Sequence, residues 1–191
     1  MPSGLKVVQQ YSIPFFLSNE TVLYRQGICR CHPSEFAKIW VLADFGFSTI
    51  LHSKSIIQSR LGCGTEAYRA PELMEDATNG MSSAGKVSKY GDIWAIGCII
   101  FKLATSGRSS AFPNDWTAIA YKRKHDGYDL PQLKPTDCQF SAPQVVAEAF
   151  IEELNLLLTS CFAREPKERP TAARLLSRFE ALKVSMLAVE E

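Results

Sequence analysis

Hydrophobic and polar positions divide the 191-residue chain into a mixed opening, a serine-rich middle and a helical remainder. Through residue 37, short apolar runs (Val7-Val8, Ile13 to Leu17, Thr21 to Tyr24) are broken by Pro14, Asn19 and Gly27. That pattern predicts short strands or irregular chain. Lys38 to Ala43 is rich in β-branched and aromatic residues and predicts a strand ending at a turn on Asp44. From Gly46 to Glu72 the pattern predicts loop, with Ser48, Thr49, Ser53, Ser55 and Ser59 interspersed.

Past Pro71 the periodicity becomes helical. Glu72 to Asp76 predicts a short helix after the proline. Asp92 to Ser106 is apolar on nearly every side, which predicts a buried central helix capped by Asp92 and stopped at Gly107. Trp116 to Lys124 predicts a shorter amphipathic helix behind Asn114 or Asp115. Val145 to Phe162 places Phe150, Leu154, Leu157, Leu158 and Phe162 at helical spacing. The last predicted helix is Thr171 to Leu182, with Thr171 as its cap and Ala172, Leu175, Leu176, Phe179 and Leu182 facing inward.

Composition narrows the classes. At 46% hydrophobic the chain can bury a core as one domain. Basic and acidic residues number 21 and 20, a net charge of +1, which creates no field to recruit nucleic acid or anionic membrane. The best apolar run, Ile93 to Phe101, is too short to span a bilayer, and no signal-peptide pattern opens the chain. Six scattered cysteines then predict free thiols in a reducing cytoplasmic or nuclear setting rather than a secreted protein. Cys29, Cys31 and His32 lack the fourth ligand and the spacing of a zinc site. Lys122-Arg123-Lys124-His125 reads either as a solvated helix face or as a docking patch for an acidic partner.

Four stretches carry candidate chemistry. Val41-Leu42-Ala43-Asp44-Phe45-Gly46 precedes Gly64-Thr65-Glu66-Ala67-Tyr68-Arg69-Ala70-Pro71-Glu72, with Asp44 and Glu72 lying 28 residues apart. Lys89-Tyr90-Gly91-Asp92-Ile93-Trp94-Ala95-Ile96-Gly97-Cys98 and Arg164-Glu165-Pro166-Lys167-Glu168-Arg169-Pro170-Thr171 follow. In this order they resemble the D-F-G, A-P-E, D-x-W-x-x-G and P-x-x-R-P-T segments of the eukaryotic protein-kinase domain, serine/threonine type. The resemblance runs from residue 38 to 182 and lies entirely within that family's C-lobe. It implies a mainly α fold with a short β-hairpin element before the activation loop, and without the N-lobe β-sheet. Residues 38–184 would be the C-lobe, 1–37 an atypical segment holding a degenerate catalytic-loop region, and 185–191 a tail.

The resemblance also implies roles. Asp44, in Asp44-Phe45-Gly46, would give a carboxylate to the Mg²⁺ that bridges ATP phosphates, or would remain a turn-former without metal. Glu72 and Arg169 would form a buried ion pair tying the activation segment to the helices, a structural role. Asp92, Trp94 and Gly97 would be structural too. Gly64 and Thr65 would contact the residue beside the phosphoacceptor, in a segment continued by Tyr68, Ala70 and Pro71. Ser53, Ser55 and Ser59 are candidate phosphosites, or simply the serines of a loop.

The catalytic loop departs from the family. An H-R-D-L-x-x-x-N segment belongs upstream of D-F-G. Counted without a gap, Arg25 matches, but Gln26 replaces the Asp and Cys31 the Asn. With a gap, Arg30 stands at the Asp, His32 at the Lys and Glu35 at the Asn, where Glu35 could still bind metal. Neither alignment supplies a carboxylate base. No glycine-rich loop, strand lysine or partner glutamate is found in the sequence, so the isolated chain is expected not to phosphorylate, with ATP and Mg²⁺ implied by family alone. Three readings stay open: a serine/threonine kinase piece, a pseudokinase C-lobe acting as a protein-binding module, and a non-functional truncation product.

Overall fold

The computed structural model describes residues 22–28, 36–42, 48, 56–60, 64–74, 84–138 and 144–187, with backbone alone for 22–28, 36–42, 56–60, 84, 144 and 183–187. The fold is mainly helical. Strand β1 (Val22–Ile28) pairs antiparallel with β2 (Phe36–Leu42), Val22 lying opposite Leu42 and Ile28 opposite Phe36. A second hairpin joins β3 (Ile56–Arg60) to β4 (Ala84–Ser88), with Ile56 opposite Ser88. Helices α1 (Lys89–Ala104), α2 (Asp115–Lys122), α3 (Gln144–Cys161) and α4 (Ala172–Leu187) complete it.

Several expectations need correction. The serine-rich stretch is not all loop, because Ile56 and Ile57 supply β-branched residues to β3 and β4 supplies the ladder. Strand β4 carries no alternating pattern; its Gly85 lies so close to Leu73 that a Cβ there would collide with the Leu73 carbonyl. After Ala70 comes a 3₁₀ turn, Pro71–Leu73, so Glu72 and Leu73 do not open an α-helix; residues 75 and 76 of the expected short helix lie outside the described residues. Helix α1 starts at Lys89, and its cap is Ser88, whose Oγ accepts the Tyr90 N–H at 3.3 Å. Asp92 sits in the first turn, where a carboxylate complements the helix dipole but does not cap.

The end of α1 is a Schellman arrangement, with Gly107 N–H on Lys102 O at 2.7 Å and Ser106 N–H on Leu103 O at 2.9 Å. The first left-handed residue is therefore Ser106 (φ +53°), one position before Gly107. Asn114 caps α2 through the Thr117 N–H, and Thr171 Oγ1 accepts the Arg174 N–H at the start of α4. Among the described side chains of α4 only Leu175 is buried; Ala172 and Leu176 face solvent. That helix packs on α3 along one narrow stripe, so its outer positions are left uncovered.

Helix α1 is the centre of the core. Trp94, fully buried, stacks on Phe112 at 4.7 Å between centroids and meets the edge of Phe162 at 5.1 Å. At Gly97 a Cβ would lie 2.8 Å from Phe162 and 2.9 Å from Cys161, so α1 and α3 meet where no side chain fits. Burial of α1 is not complete all round, since Leu103 is exposed. Asn155 of α3 fastens the chain before the 3₁₀ turn Pro135–Asp137, accepting the Leu133 N–H at 2.8 Å and donating to Leu133 O at 2.9 Å.

Candidate functional site

Residues 64–74 form a connected strap across the helices. It begins at Gly64 (φ +85°), a backbone conformation that favours glycine. Two 3₁₀ turns follow, Glu66–Tyr68 and Pro71–Leu73, the second opened by a proline whose missing N–H would have lacked a partner there. Tyr68, Ala70, Pro71, Glu72, Leu73 and Met74 are buried, whereas Thr65 and Glu66 are exposed. The strap thus has an anchored inner side and a polar outer edge.

Its inner anchor is an ion pair across 97 positions of sequence. Arg169 Nη1 donates to Glu72 Oε1 at 2.7 Å and Nη2 donates to Oε2 at 2.9 Å. Two further donors are also used: Nη1 reaches Tyr90 O at 3.0 Å and Nε reaches Ala163 O at 3.0 Å. The guanidinium lies 5.0 Å over the Trp94 ring. With the two side chains 0% and 5% exposed, water cannot replace either partner. One arginine therefore joins the strap, the start of α1 and the chain following α3.

A second arginine holds the outer edge. Arg69 Nε donates to Gly64 O at 2.8 Å, closing the first turn, while Nη1 meets Asp115 Oδ2 at 2.6 Å. Glu66 Oε1 accepts the Asp115 N–H at 3.4 Å, so strap and α2 are linked in both directions. Burial pushes the Asp115 carboxyl up, against the pull of Arg69. Asp115 Oδ2 lies 2.6 Å from the Arg69 guanidinium, and desolvation weakens what the pair contributes. The sequence reading missed Arg69 and Asp115, which lie 46 positions apart with no local pattern joining them.

The structure brings Glu72, Arg169 and Trp94 together, with Gly97 one turn further along α1. Asp92 is half-buried in the first turn of that helix. Asp44, Phe45, Gly46, Glu35, Ser53 and Ser55, and the Cys29, Cys31 and His32 group, lie outside the described residues. Ser59 is in β3, opposite Gly85. Among the described residues no group of three or more His, Cys, Asp or Glu side chains could hold a metal ion. The basic cluster of residues 122–125 lies at the end of α2, where Lys124 is left-handed (φ +56°) and His125 faces Trp116 at 5.7 Å. No described helix is long and apolar enough to cross a membrane. The buried thiols of Cys98 and Cys161 are pushed up by burial, Cys161 to about 12, which makes them packing groups rather than nucleophiles.

Comparison with known proteins agrees with this geometry. The protein kinase domain model matches residues 34–179. The chain is 29% identical over 138 residues to the serine/threonine-protein kinase MPS1 of Encephalitozoon cuniculi, covering 71% of this chain and 20% of that protein. It is 30% identical over 135 residues to mitogen-activated protein kinase kinase kinase A of Dictyostelium discoideum, covering 71% and 12%. To the receptor-interacting serine/threonine-protein kinase 3 of Rattus norvegicus it is 32% identical over 135 residues, covering 68% and 25%. The chain thus spans a quarter or less of the length of these relatives. With its strap held to the helices by Glu72 and Arg169 and residues 34–179 matched throughout, the chain belongs to the protein kinase family.

Proposed function

We propose that this chain is the helical lobe of a serine/threonine protein kinase, in which the strap of residues 64–74 positions a protein substrate for phosphoryl transfer from ATP. The observation that carries this reading is the strap itself, fastened inside by Arg169 and outside by Arg69, with Thr65 and Glu66 left exposed to meet a peptide. Positioning supplies much of the catalysis in this chemistry, so a loop fixed by two arginines suits it. Asp44 and Glu35 are the proposed metal-facing carboxylates, and Ser53, Ser55 and Ser59 the proposed sites of regulatory phosphorylation.

The 191 residues by themselves do not catalyse the transfer. They contain no glycine-rich loop and no strand lysine, and Gln26 or Arg30 stands where a carboxylate base belongs. The phosphate clamp has to come from outside these residues. A thermal-shift titration of the chain with Mg-ATP tests this. The expected result is no shift at millimolar nucleotide; a clear shift that vanishes in Asp44→Ala overturns it.

A second reading is a C-lobe that acts as a protein-binding module without chemistry. The substitutions in the catalytic-loop region favour it, because they remove the base whichever alignment is used. Joining the chain to a kinase N-lobe separates the two: phosphorylation of a generic protein substrate supports the first, and none with the lobes stably joined supports the second.

A further inference from the structure

The hairpin of β3 and β4 brackets the strap in sequence and meets it at Gly85. Within β4, Gly85 and Val87 stand two positions apart and are both buried, whereas Lys86 between them is exposed. The ribbon therefore has a closed face and an open one. What closes the first is the strap, since a Cβ at Gly85 would overlap the carbonyl oxygen of Leu73. Register carries the two faces over to β3. Ile57 opposite Val87 and Ser59 opposite Gly85 belong to the closed face, and Gln58 opposite Lys86 to the open one.

Paired Cβ positions of an antiparallel ladder lie about 5 Å apart, so register position 59 borders the Leu73 carbonyl. A hydroxyl can donate to such an oxygen. A phosphate group near pH 7 carries about −1.5 to −2 charge on oxygens that accept, and it would meet the negative end of that carbonyl. Position 58 offers the opposite surroundings, with the exposed Lys86 across the ladder. Ladder pairing and a phosphate at residue 59 therefore exclude each other.

We propose that the β3–β4 hairpin is a latch that closes only while Ser59 is unmodified, and that phosphorylation of Ser59 opens it. This rests on the reading of Ser59 as a regulatory site, not on phosphoryl transfer by this chain. A separate protein kinase acts on it, moving the γ-phosphoryl group of ATP to Ser59 Oγ. The bond to ADP breaks, ADP leaves and the hydroxyl proton is released. Opening frees residues 56–60, which lead towards Gly64 and Thr65 at the polar edge of the strap, and leaves Arg169 on Glu72. The device thus acts on the outer edge without unfolding the helices.

The test uses the full chain with phosphoserine incorporated at residue 59, compared with the unmodified chain by amide hydrogen exchange. Exchange across 56–60 and 84–88 should quicken about tenfold or more, while α3 keeps its parent rates. Trypsin should then cut after Arg60 about tenfold faster. Ser59→Glu and Gln58→Glu separate face from charge: the first should quicken exchange, and the second, opposite Lys86, should not. Parent exchange rates in the phosphoserine chain would overturn the latch, and so would equal opening by the two glutamates. A chain recovered from its native cells with no phosphate on Ser59, read by mass spectrometry, would overturn the regulatory role. That failure is told apart from the others because it leaves the exchange results standing.

Discussion

Two arginines fasten the same strap, and they differ in what surrounds them. Arg169 and Glu72 are 0% and 5% exposed, bidentate, with two backbone carbonyls and the Trp94 ring completing the arginine's environment. Arg69 and Asp115 sit at 17% and 28% exposure with an N–O contact of 2.6 Å. Coulomb attraction at these distances is similar, so distance does not set the difference. Access to water does. Removing one partner of the inner pair leaves a charge with nothing to solvate it, whereas the outer pair is partly solvated already.

The largest expected effect follows from that contrast. Arg169→Ala should destabilise the chain by about 3–5 kcal/mol, read by urea or thermal unfolding, because Glu72 is left buried and charged. Near-unchanged melting would mean that the strap is not held from inside. Next comes Gly97→Ala, which should cost about 1–3 kcal/mol by pushing α3 away from α1 at Phe162 and Cys161. A neutral result would show that the helices can part there cheaply. Ser88→Ala removes the cap of α1 and should cost about 1 kcal/mol.

The outer pair is predicted to matter less for stability than for local order. Arg69→Ala should cost about 0.5–1 kcal/mol. Amide exchange should nevertheless quicken in residues 64–69, since the Gly64 and Asp115 links are both lost. Exchange confined to its parent rate would show that the outer pair fixes nothing.

The smallest effect concerns the thiols. Burial raises Cys98 and Cys161 above the ordinary thiol value of 9.0, so at pH 8 neither should react with iodoacetamide in the native chain, while among the described thiols the half-buried Cys138 labels first. The folded chain keeps protons that the unfolded chain releases. Stability from these groups is therefore fully present below pH 9.0 and declines as pH rises above it.

Legibility from sequence followed the range of the interactions. Helices α1, α2, α3 and α4 were visible because their apolar spacing is local, and Asn114 and Thr171 were visible because caps act within one turn. Ser88 was missed: Asp92, a good capping residue further on, competes with it as a signal. Strand β4 was missed because Gly85 and Lys86 follow no alternation; the close approach of Leu73 sets that geometry. Glu72 and Arg169 were legible only through family motifs, and no resemblance pointed to Arg69 with Asp115. Nothing in the periodicity of Leu175 and Leu176 says which side of α4 is covered, since that depends on where α3 lies.

A double-mutant cycle on Glu72→Gln and Arg169→Met, followed by urea unfolding, tests the inner anchor most directly. A coupling above about 2 kcal/mol is predicted, with the double variant more stable than the sum of the single losses implies. A coupling near zero would mean that Glu72 and Arg169 act separately, and would contradict the account of the strap as held to the helices by one buried pair.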